Sequence, residues 1–263
     1  MEFSLIPVAL PPSAKLASNS SAARSLAVLG MLSHTGEPMS LADLVHALGL
    51  PKATVHRICS QLMASGFLAR DVNENHFVVG PALRELALDT LNHGTLRGLR
   101  HAVLTDLVER VAETCNFTTL DGAEVLYLDR VEAAWPWRLT LDVGAHVPLH
   151  CTASGKLFLA LMDGKSRDAL LATLTLKRMT DHTIVTLQGL RDECALIAKR
   201  GHAFDREEFV AGLIAAAVPV RDRQGHVRAA MAVHASTTRM SMDDLMARLP
   251  ALEAAAARMG ALL

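Results

Sequence analysis

The chain is poor in aromatics, with one tyrosine, two tryptophans and seven phenylalanines in 263 residues. Any core must therefore rest on aliphatic and small side chains. An excess of one charge is missing too: 26 lysines and arginines face 27 acidic residues, a formal net charge of −1. That balance offers no bulk attraction to nucleic acid or to an acidic membrane, so any DNA contact has to come from a local cluster. The cysteines are few. Cys59, Cys115, Cys151 and Cys194 stand far apart with no C-x-x-C spacing, which argues against a disulfide framework and a cysteine-type structural zinc site. No apolar run approaches the roughly 20 residues that span a bilayer; the strongest is Leu213–Val220. The opening residues MEFSLIPVALPPSAK carry no basic stretch ahead of their apolar positions, so they do not read as a secretory signal. A cytoplasmic protein without a membrane partner is expected.

The composition is otherwise that of a packed protein, 51% hydrophobic and 20% charged, and the length suits one or two domains. Pro11, Pro12 and the serines at 18, 20 and 21 predict a mobile arm over residues 1–20. Residues 21–81 read as a compact helical unit ending in a hairpin, 82–95 as a linker helix stopping near Gly94, and 96–263 as a larger domain.

Within the first unit, Ser20 or Ser21 is placed to cap a helix carrying Leu26, Leu29 and Leu32 at helical spacing, ended by Gly36 and Pro38. Ser40 with Asp43 three residues later resembles a capping box. Leu41, Leu44, Val45 and Leu48 then form one apolar face. Gly49 can close that helix in a left-handed conformation, and Pro51 suits the first turn of the next. A short glycine turn between two helices is the helix-turn-helix pattern.

The following helix, PKATVHRICSQLMAS, turns Val55, Ile58, Cys59 and Leu62 to one side. Ala53, Arg57 and Ser60 lie opposite, flanked by Thr54, His56 and Gln61, with Lys52 at the start. This set suits a major groove: an arginine can pair with guanine, hydroxyls with phosphates or base edges, an alanine with a thymine methyl, and a lysine with a phosphate. The same pattern would serve as the solvated face of a core helix. The preceding helix, the glycine turn and the hairpin that follows together favour DNA recognition. That hairpin pairs Phe67–Ala69 with His76–Val79 around Asp71, Asn73 and Asn75, a wing with Arg70 and His76 near its tip. Residues 21–81 hold four basic and four acidic side chains (Arg24, Lys52, Arg57, Arg70 against Glu37, Asp43, Asp71, Glu74). One copy should bind weakly, so a homodimer on double-stranded operator DNA is expected.

The larger domain opens with a stripe of Leu96, Leu99, Val103, Leu107 and Val111. NFTTL and EVLYLDRV read as a hairpin around Asp121–Gly122, and RLTLDV as a third strand. Helices are expected over about 154–162 and 168–174, and from Thr186 to Gly201. AFDREEF, LIAAAVPVRD and VRAAMAVHA read as strands. Ser241 with Asp244 caps a final helix that Pro250 kinks or restarts. The fold class is α+β, an antiparallel sheet flanked by helices.

Several stretches resemble the isocitrate lyase regulator (IclR) family of bacterial transcription factors: SLAVLGML, MSLADLVHALGLPKATVHRICSQLMASGFLARD, EVLYLDRVE, VPLHCTASGKLFLA, RGHAFDREEFVAGLIAAAVPVRD and the T-T-R-M segment. They run in the family's order from Ser21 onward. The resemblance implies a winged helix-turn-helix, a linker helix and a GAF-like effector domain. It also implies dimers that often pair into a homotetramer, and effectors among small organic acids and aromatic catabolites. Asp205 and His234 match positions lining the family's pocket. His234 stands where members often carry a small hydroxyl residue, and Ala215 where others often have cysteine, departures that point away from the smallest keto acids.

The residues Ala153-Ser154-Gly155-Lys156 open an apolar helix, and its free N–H groups suit a carboxylate. Alternatively this is a capped helix with Gly155 present for close packing. With Val147 and Ala215 as apolar wall and Asp205 and His234 as polar partners, these residues form the candidate effector site. Alone, Asp205 would serve as a turn residue and His234 as a satisfied strand histidine. Trp135 and Trp137, around Pro136, could wall the pocket, an interface or a core edge. Two rival readings remain. Cys151 with His150, His146 or His202 could form a nucleophile and base, but neighbours on a strand face opposite ways. His146, His150 and Cys151 could bind a metal, but Pro148 makes that stretch a loop. No catalytic residue, metal or cofactor is assigned.

Overall fold

The computed structural model describes residues 20–35, 37–71, 75–92, 94–135 and 141–263. The chain divides into two compact units, Met1–Leu91 and Asn92–Leu263. Most of the arm expected over 1–20, together with Gly36, Asn73, Pro136, Trp137 and the start of RLTLDV, lies outside the described residues.

In the first unit, α1 (Ser21–Thr35) is capped by Ser20, whose hydroxyl accepts from the Ala23 N–H at 3.1 Å. After β1 (Met39–Ser40), Ser40 and Asp43 form the full capping box of α2 (Leu41–Leu48). Gly49 ends that helix at φ +63°, where a side chain would be strained. Pro51 is the N-cap of α3 (Lys52–Ala64) rather than part of its first turn. Strands β2 (Leu68–Arg70) and β3 (His76–Val79) complete the wing, β2 starting one residue later than its composition suggests. The small sheet runs β1-β3-β2, so β1 adds a third strand to the hairpin.

Val28, Leu29, Leu32, Leu44, Val55, Ile58, Cys59, Leu68 and Phe77 form this unit's core. Leu26 is not among them; it is 67% exposed because the buried stripe of α1 is centred on Val28 and Leu32. Helix α4 (Pro81–Asn92) occupies the expected linker, and the next helix starts at Gly94, whose φ is +74°.

The second unit begins with α5 (Gly94–Val111), then the hairpin β4 (Thr114–Asp121) and β5 (Glu124–Val131), turning at Gly122 with φ +58°. Strand β6 (His146–Pro148) follows. The described part of RLTLDV, Leu141–Val143, is not a strand; pairing resumes at the stretch read as a loop, where His146 and Val147 meet Leu126 and Val125. Pro148 sits at the sheet edge, where its missing N–H costs nothing.

Next come α6 (Ala153–Leu161), α7 (Gly164–Thr173), α8 (Leu187–Arg200), β7 (Ala203–Arg206), β8 (Leu213–Arg221) and β9 (Val227–Ser236). The chain ends with α9 (Met242–Met246) and α10 (Leu249–Gly260), which Pro250 starts rather than kinks. The six strands pair antiparallel in the order β6-β5-β4-β9-β8-β7. Helix α6 packs on one face with α8 behind it, while α5 and α10 contact the sheet strands themselves. The stripe of α5 is buried only at Val103, Leu107 and Val111; Leu96 and Leu99 are 42% and 45% exposed.

Candidate functional site

Helix α3 buries one side and exposes the other. Val55, Ile58 and Cys59 are fully buried, which fixes the helix's rotation. Lys52, Ala53, His56, Arg57, Ser60 and Gln61 are consequently exposed, and Thr54 is half-buried. Two contacts organise this surface. The Arg57 guanidinium donates to Gln61 Oε1 at 3.3 Å, and the Ser60 hydroxyl donates to the His56 carbonyl at 2.9 Å. Pro51 provides no side-chain cap, so the first N–H groups of α3 remain available to a phosphate oxygen. Arg70 is exposed on β2 and stands 4.4 Å over the Phe77 ring, which holds its guanidinium close to the wing.

In the second unit a cavity lies between the sheet and the start of α6. Strand register builds one wall. Asp205 on β7 is the partner of Ala215 on β8, and Ala215 is the partner of His234 on β9. Register partners project side by side from one face, so the small methyl of Ala215 leaves a gap between a carboxyl and an imidazole. Val125 and Val147, partners on β5 and β6, add an apolar wall. The loop after β7 contributes Phe209 and Val210. The cavity encloses about 40 Å³, room for roughly three waters.

Thr152, not Ser154, caps α6: its hydroxyl accepts from the Gly155 N–H at 3.2 Å and donates to the Pro148 carbonyl at 2.7 Å. The cap frees Ser154. That residue is 6% exposed and lines the cavity, and its hydroxyl makes no hydrogen bond among the described residues. The Tyr127 hydroxyl, on a side chain 9% exposed, is in the same condition. Neither oxygen is among the fully buried atoms that lack a partner, so both hydroxyls stay open to a water or a polar group in the cavity.

The sequence-predicted residues Val147, Ala153, Ser154, Asp205, Ala215 and His234 all line this cavity. Gly155 does not. A Cβ there would fall onto the backbone of Leu149, so glycine allows α6 to pack against that turn. Sequence reasoning missed Tyr127, Asn116 and Thr152.

Burial governs how the titratable groups of the cavity ionise. Burial pushes the Asp205 carboxyl up to about 7, although its Oδ1 accepts the Glu208 N–H at 2.7 Å and the Phe209 N–H at 3.4 Å. Burial, and secondarily the Arg130 and Arg239 guanidiniums, push His234 down to about 3, so it is neutral. Asn116 orients the ring: its Oδ1 accepts from Arg130 at 3.0 Å, and its Nδ2 stands 3.0 Å from His234 Nδ1. Arg130 Nη2 is 3.3 Å from Nε2. Lys156 is fully buried behind the cavity and ion-paired with Glu208.

The rival sites are not assembled. His146 binds Asp121 at 2.9 Å, while His150 faces the Lys177 carbonyl at 2.9 Å. Cys151 lies in a turn rather than a strand, is buried, and has its thiol pushed up to about 12 by that burial. Such a thiol is a poor nucleophile and a poor ligand. No group of histidine, cysteine and carboxylate side chains that could hold a metal occurs among the described residues. Trp135 donates to the Ala112 carbonyl at 2.8 Å, with Arg239 stacked 4.9 Å away; it is not part of the cavity wall. No helix among the described residues is long and apolar enough to cross a membrane.

Residues 21–72 match the IclR helix-turn-helix domain, and residues 88–261 match the family described as Bacterial transcriptional regulator IclR C-terminal. A curated relative, Probable transcriptional regulator SauR of Cupriavidus necator, is 42% identical over 92% of this chain and 96% of its own. A transcriptional regulator from Rhodococcus sp. RHA1 has a solved structure with TM-score 0.63 at 28% identity, covering 91% of this chain and 96% of that one. The inducer-binding domain of PobR from Acinetobacter, solved as a double mutant with 3-hydroxybenzoic acid, has TM-score 0.59 at 26% identity, covering 65% of this chain and 100% of that one.

Proposed function

Because this chain belongs to the IclR family of bacterial transcriptional regulators, we propose that it binds an operator as a homodimer and releases or tightens its grip when a small carboxylic acid enters the α6 cavity. The observation that carries the effector half is the cavity at the start of α6, lined by two hydroxyls, of Ser154 and Tyr127, that make no hydrogen bond among the described residues. The ligand carboxylate accepts from Ser154 and from the backbone N–H groups at the start of α6. Neutral His234, whose two ring nitrogens stand against Asn116 and Arg130, walls the cavity beside the other end of the ligand. Val147, Ala153 and Ala215 surround the apolar middle. A single-ring acid, of the kind bound by the PobR domain, needs the wall at Phe209 and Val210 to move outward.

On the DNA side, Arg57 reads a base pair while Lys52 and the bare N-terminus of α3 hold phosphates. Ala53, Thr54, His56, Ser60 and Gln61 fill the groove around them, and Arg70 approaches the backbone from the wing. The balanced local charge favours two copies acting together on an inverted repeat, with pairs of dimers forming a tetramer. Effector binding acts by stabilising one arrangement of the paired recognition helices over another, which requires different affinities for the two. Calorimetry with a panel of acids on wild type, Ser154→Ala and Tyr127→Phe tests this: both variants should lose affinity about tenfold, and unchanged affinity in both moves the site elsewhere.

A further inference from the structure

Asp205 sits oddly in a cavity meant for an acid. Its side chain is 6% exposed and lines the same space as Ser154 and the start of α6. Only one of its oxygens is engaged: Oδ1 takes both backbone N–H groups, and Oδ2 makes no hydrogen bond among the described residues. Lys156 of α6 is the cation that favours its charged form, and burial together with the charge of Glu208 outweighs it. Lys156 of α6 is committed to Glu208, and Glu208 itself adds a second negative charge beside Asp205. Tyr127 of β5 and Cys151 of the turn before α6 both feel Asp205 and are both neutral. His234 of β9 is neutral as well.

A carboxylate ligand would thus bring a second charge up to a carboxylate whose cation, Lys156, is already shared with Glu208. Two carboxyl groups in one dry site share a proton, because both cannot stay ionised. We propose that the acid effector enters this cavity together with one proton taken from solution, which settles on Asp205 Oδ2 and makes Asp205 a hydrogen-bond donor to the ligand. The inference rests on the effector reading above and names how that site is regulated: affinity for the acid falls as pH rises. Asp205 also becomes a determinant of ligand class. It selects a guest that presents an acceptor at that wall and disfavours one that presents a hydroxyl or ammonium donor.

The isolated group already leans this way, since burial holds the Asp205 carboxyl up at about 7. The folded value is therefore raised above the unfolded value of about 3.9. The contribution of this group to stability is therefore present at low pH and is lost as pH rises from about 4 to 7. Binding coupled to one proton should weaken about tenfold between pH 6 and pH 8.

The test is Asp205→Asn, which keeps the Oδ1 acceptor for the two N–H groups and is neutral at every pH. Calorimetry with acetate, glycolate, benzoate, 3-hydroxybenzoate and 4-hydroxybenzoate is run at pH 6 and pH 8, in buffers of different ionisation enthalpy. Wild type should bind a responsive acid about tenfold more weakly at pH 8, with proton uptake, and the variant should bind it equally at both. In the absence of any acid, the melting temperature of the variant should gain on wild type from pH 5 to pH 8. Equal wild-type affinities at the two pH values, or a melting gap that does not change with pH, overturns the proposal. Failure of every acid to bind wild type at pH 6 instead removes the effector reading on which it stands.

Discussion

Replacing Gly155 with alanine should damage the effector unit through backbone packing rather than through ligand contact. A Cβ at this position would lie 2.7 Å from the Leu149 carbonyl carbon, and nearer still to the Leu149 Cα and oxygen. These are main-chain atoms, so no rotamer change relieves the overlap; α6 has to move away from the turn at 149–151. Overpacking of this kind costs roughly 1–3 kcal/mol, and a backbone-on-backbone clash belongs at the upper end. The helix propensity gained from alanine, about 1 kcal/mol at most, offsets little in the first turn. A net loss of about 2–3 kcal/mol corresponds to a fall in Tm of roughly 5–10 °C for a unit of this size. Gly98 is the control. It lies in α5 with nothing near its missing Cβ, so Gly98→Ala should be neutral or stabilise by up to about 1 kcal/mol. Calorimetric melts of the two variants decide the matter. A Gly155→Ala protein that melts with wild type would show that the close approach of α6 to Leu149 is wrong.

Arg57→Ala should lose about 1–3 kcal/mol per half-site with folding intact, since the side chain is exposed; fluorescence anisotropy with operator DNA measures it, and wild-type affinity refutes it. Lys52→Ala should weaken binding to all sequences alike and lower the magnitude of the salt slope by about one, read from titrations at several salt concentrations. Leu96 and Leu99 are exposed on α5, and an interface there is expected to bury them. Leu99→Glu should then shift the light-scattering mass from dimer or tetramer toward monomer at micromolar concentration, whereas an unchanged mass places the interface elsewhere.

Much of the fold was legible because local chemistry decides it. Ser40 with Asp43, Ser241 with Asp244, and Thr186 with Gly201 mark helix ends through hydrogen bonds that span three or four residues. Gly49 marks a turn that only a positive φ can make. The failures have physical causes as well. RLTLDV alternates like a strand, yet the chain pairs at His146–Pro148, since pairing depends on what β5 offers across the sheet. Leu26, Leu96 and Leu99 fit a helical stripe but are not covered within the chain. Ser154 was legible from the helix start. Tyr127 and Asn116 were not, because their place at the cavity follows from the register of β5, β4 and β9, which no local spacing reveals. Gly155 was read with two meanings, and only the approach of Leu149 separates them.

The central claim is that one chain couples an acid in the α6 cavity to sequence-specific DNA binding. The direct measurement selects fragments from random or genomic DNA with the purified full chain, then titrates an enriched fragment with and without a bound acid. The account predicts an inverted repeat in the enriched fragments and a change in affinity of at least about tenfold on adding the acid, a coupling of roughly 1.4 kcal/mol. Ser154→Ala should abolish that change and leave acid-free DNA affinity as in wild type. Enrichment of no common sequence, or an acid response that survives in Ser154→Ala and Tyr127→Phe alike, would contradict it.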